Sequence, residues 1–198
     1  MIKGVINVSG KAGSGKDTFA DMLKTELEQK GYKVCRVNYA DYLKYILTKF
    51  FNWDGQKDEK GRKMLQTIGT DVIRKRNPDF WVEIVAYTIQ YLSDYFDFVI
   101  CGDCRFPNEN DYWVEQWSSI SPFDSAVKQV FSINITRLNF ETKLTTEQLQ
   151  HSSENAMKDY VFDYEVLNDT LEGLKETAQA ITEDILNHYV YIKPAEQL

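Results

Sequence analysis

The chain is short of cysteine, histidine, long apolar runs and positive charge, and each shortage argues against a class of protein. Three cysteines in 198 residues, Cys35, Cys101 and Cys104, form an odd and sparse set, which argues against a disulfide scaffold and for a reducing compartment. Cys101-Gly-Asp-Cys104 has CxxC spacing, but a zinc site needs further ligands and His151 and His188 are the only histidines. The pair reads better as small residues filling a strand end. No apolar stretch approaches the ~20 residues of a membrane span, and no targeting segment precedes Ile2, so a cytoplasmic location is expected. Lysine and arginine together number 23 against 30 acidic residues, a formal charge of −7 with a pI near 5.0. That balance disfavours a nucleic-acid polymer as partner. It leaves a small anionic ligand open, because a few local cations and a helix terminus suffice to bind one.

Strand and helix signals alternate along the chain, as in a parallel sheet covered by helices on both faces. Strands are expected at Ile2 to Val8, Lys33 to Asn38, Phe96 to Cys101, Val127 to Thr136 and Phe162 to Leu167. Helices are expected from Lys16 to Lys30, Tyr39 to Phe51, Arg62 to Arg76, Phe80 to Tyr95 and Leu171 to Tyr189. Asn52 to Gly61 reads as a polar, mobile connector and Gly102 to Glu109 as a polar turn. Length and the lack of repeats or linkers fit one α/β domain over residues 1–198. Two inserts, at about 39–95 and 138–152, stand where a phosphotransferase needs an acceptor site and a lid.

The segment Gly10-Lys11-Ala12-Gly13-Ser14-Gly15-Lys16-Asp17-Thr18 carries the most chemistry. A glycine-rich loop ending in Gly-Lys, between a buried strand and an amphipathic helix, cradles a polyphosphate with inward-turned N–H groups and the positive end of the helix dipole. Gly13, Ser14, Gly15, Lys16, Asp17 and Thr18 are the candidate contacts to ATP, with Lys16 across the β- and γ-phosphates. The loop departs from GxxxxGK[ST] in placing Asp17 after the lysine. Asp17 and Thr18 are the candidate Mg²⁺ ligands here, with Thr18 also a phosphate contact. Asp103, expected just past an apolar strand, suits orientation of Mg²⁺ through its water shell, and Arg105 suits a transferring or acceptor phosphate. A helix-capping aspartate beside a surface arginine is the bland alternative for this pair.

SGKAGSGKDT, LQTIGTDVIRKRNPDFWVE at 65–83, GDCRFPNE at 102–109 and HSSENAMKDYVFDYEVLND at 151–169 together resemble the bacteriophage-type deoxynucleoside monophosphate kinases, in order and spacing, from Ile2 to about Leu186. The family often carries an aliphatic residue where Cys104 stands. The resemblance implies a three-layer P-loop kinase fold, ATP and Mg²⁺ as requirements, and transfer of the γ-phosphoryl group to a deoxynucleoside monophosphate, in the host cytoplasm if the chain is phage-encoded. Within the acceptor insert, Lys44, Arg74 and Arg76 offer charge to a monophosphate, while Gln66, Thr70 and Trp81 offer hydrogen bonds and an aromatic face to a base. Trp81 falls on an apolar helical face and equally suits the core. Tyr42 or Trp81 stands where a hydroxyl-sized exclusion would select the sugar. In the lid, Arg137 and Lys143 are the cations able to swing onto transferring oxygens, Arg137 as an internal arginine finger. His151 and Glu154 read as helix-capping residues. A kinase for another small acceptor and a nucleotide-dependent switch are the rival readings; the guanine-reading NKxD motif of GTPases is missing. A homodimer stays open.

Overall fold

The structure is a computed structural model and describes residues 2–120, 129–138, 142 and 144–190. Five parallel strands form one sheet in the order β2-β3-β1-β4-β5, with β1 at Gly4–Ser9, β2 at Val34–Val37, β3 at Phe98–Cys104, β4 at Val130–Thr136 and β5 at Tyr164–Leu167. Every residue of β1 is buried, as expected of a central parallel strand covered on both faces. Its register runs Val5 opposite Val99 and Val130, and Ile6 opposite Ile100 and Phe131.

The two-residue period of the strands sorts the core into two layers. Ile6, Val8, Phe98, Ile100, Phe131 and Ile133 face α1 (Lys16–Gln29) and α8 (Leu171–Val190), which contribute Phe19, Leu23 and Leu27, and Leu174, Ala178 and Ile181, at helical spacing. Val5, Val99 and Cys101 face the other layer, made by α2 (Ala40–Phe50), α4 (Phe80–Tyr91) and α5 (Pro107–Ile120). Cys101 and Cys104 are free thiols buried in this layer, the filling role their size suggests.

Four local features depart from the sequence reading. Phe98–Cys104 continues past the expected strand end, so Asp103 lies inside β3 rather than beyond it. The stretch read as a polar turn enters α5 at Pro107, a helix the sequence hides because Trp113 is the one fully buried apolar side chain in 107–115. The connector 52–61 is pinned: Trp53 is buried and its indole N–H donates to the Gln56 carbonyl, while Asp58 accepts from Gly61 N–H and starts α3 (Glu59–Gln66). Beyond α3 the chain winds on as a π-helix, Thr67–Arg74. Wider turns of this kind gather at functional sites, and this one brings Gly69 within reach of Trp81, whose indole N–H donates to the Gly69 carbonyl at 2.9 Å. Two short helices, α6 (Thr146–Gln150) and α7 (Ser152–Asn155), follow β4. Among the described residues no helix is long and apolar enough to cross a membrane.

Candidate active site

The loop Gly10 to Lys16 joins the C-terminal end of β1 to α1, between neighbouring strands whose connections leave in opposite directions, which is where open α/β sheets bind ligands. Gly15 caps α1 at φ +96°, and a Cβ there would collide with the Asn168 amide. That amide donates to the Ser14 carbonyl at 2.8 Å, so the β5–α8 connection braces the loop from behind. The Ser14 hydroxyl is buried with no hydrogen-bond partner among the described residues, a polar atom a bound phosphate would satisfy.

Lys16 is buried, and among the described residues its ammonium donates only to the Lys11 carbonyl, at 3.3 Å. Burial, then the positive charge of Arg105, lowers its pKa from 10.5 to about 8, against the opposing pull of Asp17, Asp103 and Glu154. Asp17 faces solvent beside it and pairs with Arg36 at 3.3 Å; Arg36 also reaches Asp21 at 3.2 Å. Thr18 is exposed on the first turn of α1 and lines neither of the cavities described next.

Two cavities open on either side of the loop. The first, about 170 Å³, is lined by Lys16, Asp17 and Asp103 and by the wall of α2, α3 and the π-helix. Five of the six acceptor-site residues expected from sequence, Lys44, Gln66, Thr70, Arg74 and Trp81, line it, and Arg76 does not. Tyr42 does not either: it is exposed and stacks on Tyr45. Trp81 is also buried core, as its apolar helical face suggests. Lys44 is paired with Asp41 at 2.6 Å. Arg74 is committed to structure: its guanidinium pairs with Glu109 at 2.6 Å, donates to the Pro78 carbonyl and lies 4.0 Å from the Phe106 ring centre. Arg62 and Lys57 line the same cavity and carry no ion pair among the described residues. Arg62 stands four residues before Gln66, which stands four before Thr70 and eight before Arg74, a spacing in the sequence that could have marked it.

The second cavity, about 980 Å³, is bounded by the loop residues Gly10 to Ala12 and Ser14, by Ile135 to Arg137 at the end of β4, and by α7. Arg137 thus lines the second cavity, just past the end of β4. Lys143 lies outside the described residues. Arg105, Leu144, Ser153 and Glu154 line both cavities.

Asp103 takes the capping job. Its carboxylate accepts the N–H groups of Tyr39 at 2.7 Å and Ala40 at 3.1 Å, at the start of α2, and burial raises its pKa while those two bonds lower it. Glu109, left without a role by the sequence reading, is a hub. It is buried, holds Arg74, and accepts the backbone N–H groups of Arg105 at 2.6 Å and Phe106 at 3.0 Å, which fixes the turn that carries Arg105. Burial raises its pKa and Arg74 lowers it.

His151 caps α7, its Nδ1 accepting from Ser153 N–H at 3.2 Å, while Nε2 stands 3.4 Å from Asp71. Glu154 does not answer the helix dipole as expected. Its carboxylate turns away to the loop, accepting from Ala12 N–H at 3.1 Å and pairing with Arg105.

Among the described residues no group of three acidic, cysteine or histidine side chains forms a metal cage. Mg²⁺ in phosphoryl transfer is water-rich and held by one or two carboxylates plus the substrate phosphates. Asp17 and Asp103, both on the wall of the first cavity, fit that demand.

No protein-family model matches the chain, and no curated protein does. Solved structures do. The gluconokinase of Sinorhizobium meliloti superposes with a TM-score of 0.53 at 14% identity, covering 98% of this chain and 99% of its own. The Mycobacterium tuberculosis APS kinase in complex with AMPPNP and APS superposes with a TM-score of 0.50 at 12% identity, covering 94% and 99%. At such identities the likeness is one of fold, and the fold of this chain is that of the P-loop kinases.

Proposed function

We propose that the protein transfers the γ-phosphoryl group of ATP to the phosphate of a deoxynucleoside monophosphate, giving the diphosphate and ADP. The observation that carries a transfer reaction is the meeting of two cavities at Arg105, Leu144, Ser153 and Glu154, one flanked by the phosphate loop and β4, the other by the acceptor insert. A switch or simple ATPase needs only the first of these chambers. The charge of the acceptor cavity supports a phosphorylated acceptor. Six cations (Lys16, Lys44, Lys57, Arg62, Arg74 and Arg105) face four carboxylates (Asp17, Asp103, Glu109 and Glu154) there, in a chain of net charge −7. That local excess suits a phosphomonoester dianion better than a neutral sugar. The deoxynucleoside part rests on the four sequence motifs. Without them the cavity fits other small phosphorylated metabolites equally.

In this reading Lys16 and Arg105 offset charge on the transferring group, and Arg137 joins them from the donor side. Mg²⁺, when bound with ATP, would neutralise the β- and γ-oxygens, with Asp17 and Asp103 as the residues to hold its waters. No strong general base is required, since the acceptor phosphate is already an anion. Arg62 and Lys57 would receive that phosphate, and Gln66, Thr70 and Trp81 would frame the base. The lid helices close on the acceptor insert through Gln66 to the Gln148 carbonyl at 3.3 Å, Gln148 to the Glu59 carbonyl at 3.2 Å, and Lys63 to Glu147 at 3.6 Å. Closure of that kind excludes the water that would otherwise hydrolyse ATP.

The test is ADP release, coupled to a spectrophotometric reporter, with ATP and Mg²⁺ against the four deoxynucleoside monophosphates, their ribonucleotide counterparts and no acceptor. Turnover confined to some deoxynucleotides is expected. ADP release independent of acceptor, or none, refutes the reading.

A further inference from the structure

Glu154 makes two contacts that its helix does not require. One carboxylate oxygen accepts the N–H of Ala12, inside the phosphate loop; the other pairs with the Arg105 guanidinium, which also donates to the Ser153 carbonyl at 3.0 Å. The side chain is 7% exposed and lies where the two cavities meet. A carboxylate engaged by a loop N–H and an arginine has the partners of a phosphoryl oxygen, and it brings a negative charge to the point a terminal phosphate must enter.

Resting on the kinase reading of this site, we propose that Glu154 is an internal stand-in for the γ-phosphoryl group. In the empty protein it fills the Ala12 N–H and holds Arg105 at the junction. When ATP binds, the terminal phosphate takes over both partners and Glu154 withdraws with α7. The guanidinium is thereby positioned before substrate arrives, and is handed from one anion to another without being left unpaired. The arrangement also discriminates between nucleotides. ADP, which stops at the β-phosphate, leaves Glu154 in place, whereas ATP must displace it. Glu154 is thus a positioning residue acting through Arg105, and its charge is a barrier specific to the third phosphate.

The test is equilibrium binding, by calorimetry with Mg²⁺, of a non-hydrolysable ATP analogue and of ADP to the intact protein and to Glu154→Gln, which keeps the size and an acceptor oxygen but removes the charge. Glu154→Ala, which removes the charge together with the side chain, is the second variant and serves if the first fails to fold. Both variants are expected to bind the ATP analogue at least tenfold more tightly while ADP affinity stays within twofold. An unchanged or weakened affinity for the ATP analogue overturns the proposal and leaves the kinase reading standing, as does an equal change for both nucleotides. Failure of the unaltered protein to bind either nucleotide overturns both.

Discussion

Replacing Lys16 with methionine is expected to stabilise the empty protein while abolishing its activity. Lys16 is 6% exposed and hydrogen-bonds one carbonyl among the described residues, so its charge is largely stripped of water, and the pull of Asp17, Asp103 and Glu154 offsets that loss only in part. A fall in pKa from 10.5 to about 8 converts to about 3 kcal/mol of lost stability at neutral pH. Below pH 8 the lysine is charged in both folded and unfolded chains and the penalty is complete. As pH rises from 8 towards 10.5 the folded state releases its proton first, the unfolded state binds more protons, and stability recovers. Methionine has comparable length and no charge, so Lys16→Met lacks the penalty at every pH. In a chain of this size the gain corresponds to roughly 6–12 °C in Tm at pH 7. The assay is urea or thermal unfolding of both proteins from pH 7 to pH 10.5. The difference between them isolates Lys16 from every group the two proteins share. A variant no more stable than the parent at pH 7, or a gap that does not narrow with rising pH, refutes the claim that the loop stores a desolvated charge for the nucleotide.

The same lysine makes nucleotide binding pH-dependent: affinity for ATP is expected to fall above pH 8, with proton uptake on binding measurable by calorimetry in buffers of different ionisation heat, and with no such uptake in Lys16→Met. Arg62→Ala is expected to raise the acceptor KM at least tenfold and to leave the KM for ATP unchanged in initial-rate kinetics; equal effects on both substrates would refute its assignment to the acceptor phosphate. Glu109→Gln leaves Arg74 buried and unpaired and weakens the hold on the Arg105 turn, at a cost of about 3–5 kcal/mol in urea unfolding; a loss below about 1 kcal/mol would show that Arg74 finds water.

What the sequence revealed tracks how local each requirement is. The loop between β1 and α1 was legible as a structure because its backbone needs glycine at positions such as Gly15, and the lysine at a fixed offset is what the sequence offers to a phosphate. The sheet and its two covering layers were legible from apolar periodicity. A capping role for Asp103 was among the readings of the sequence, but not the helix it caps, because its partners, Tyr39 and Ala40, lie more than sixty residues away in the chain. Glu109 and Asn168 act through tertiary contacts that no local pattern encodes. The helix α5 was missed since its inward face carries Asn110 and Glu109 where a core helix ordinarily carries aliphatic residues. Arg62 was overlooked although its spacing to Gln66 was in view, because the segment before it read as a mobile connector.

The π-helix at Thr67–Arg74 gives this site an unusual route of change. A π-turn holds one more residue than the α-turn it replaces, so deleting a single residue between Thr70 and Ile73 would let the segment relax into an ordinary helix. Side chains on one side of the deletion would then turn by about 100° relative to those on the other. Arg74, tied to Glu109, would keep its place, and Gln66 and Thr70 would rotate off the cavity wall in one step. Substitutions alter this cavity one contact at a time, but a one-codon deletion here would turn the wall formed by α3 and the start of the π-helix as a unit while leaving the loop Gly10 to Lys16 untouched.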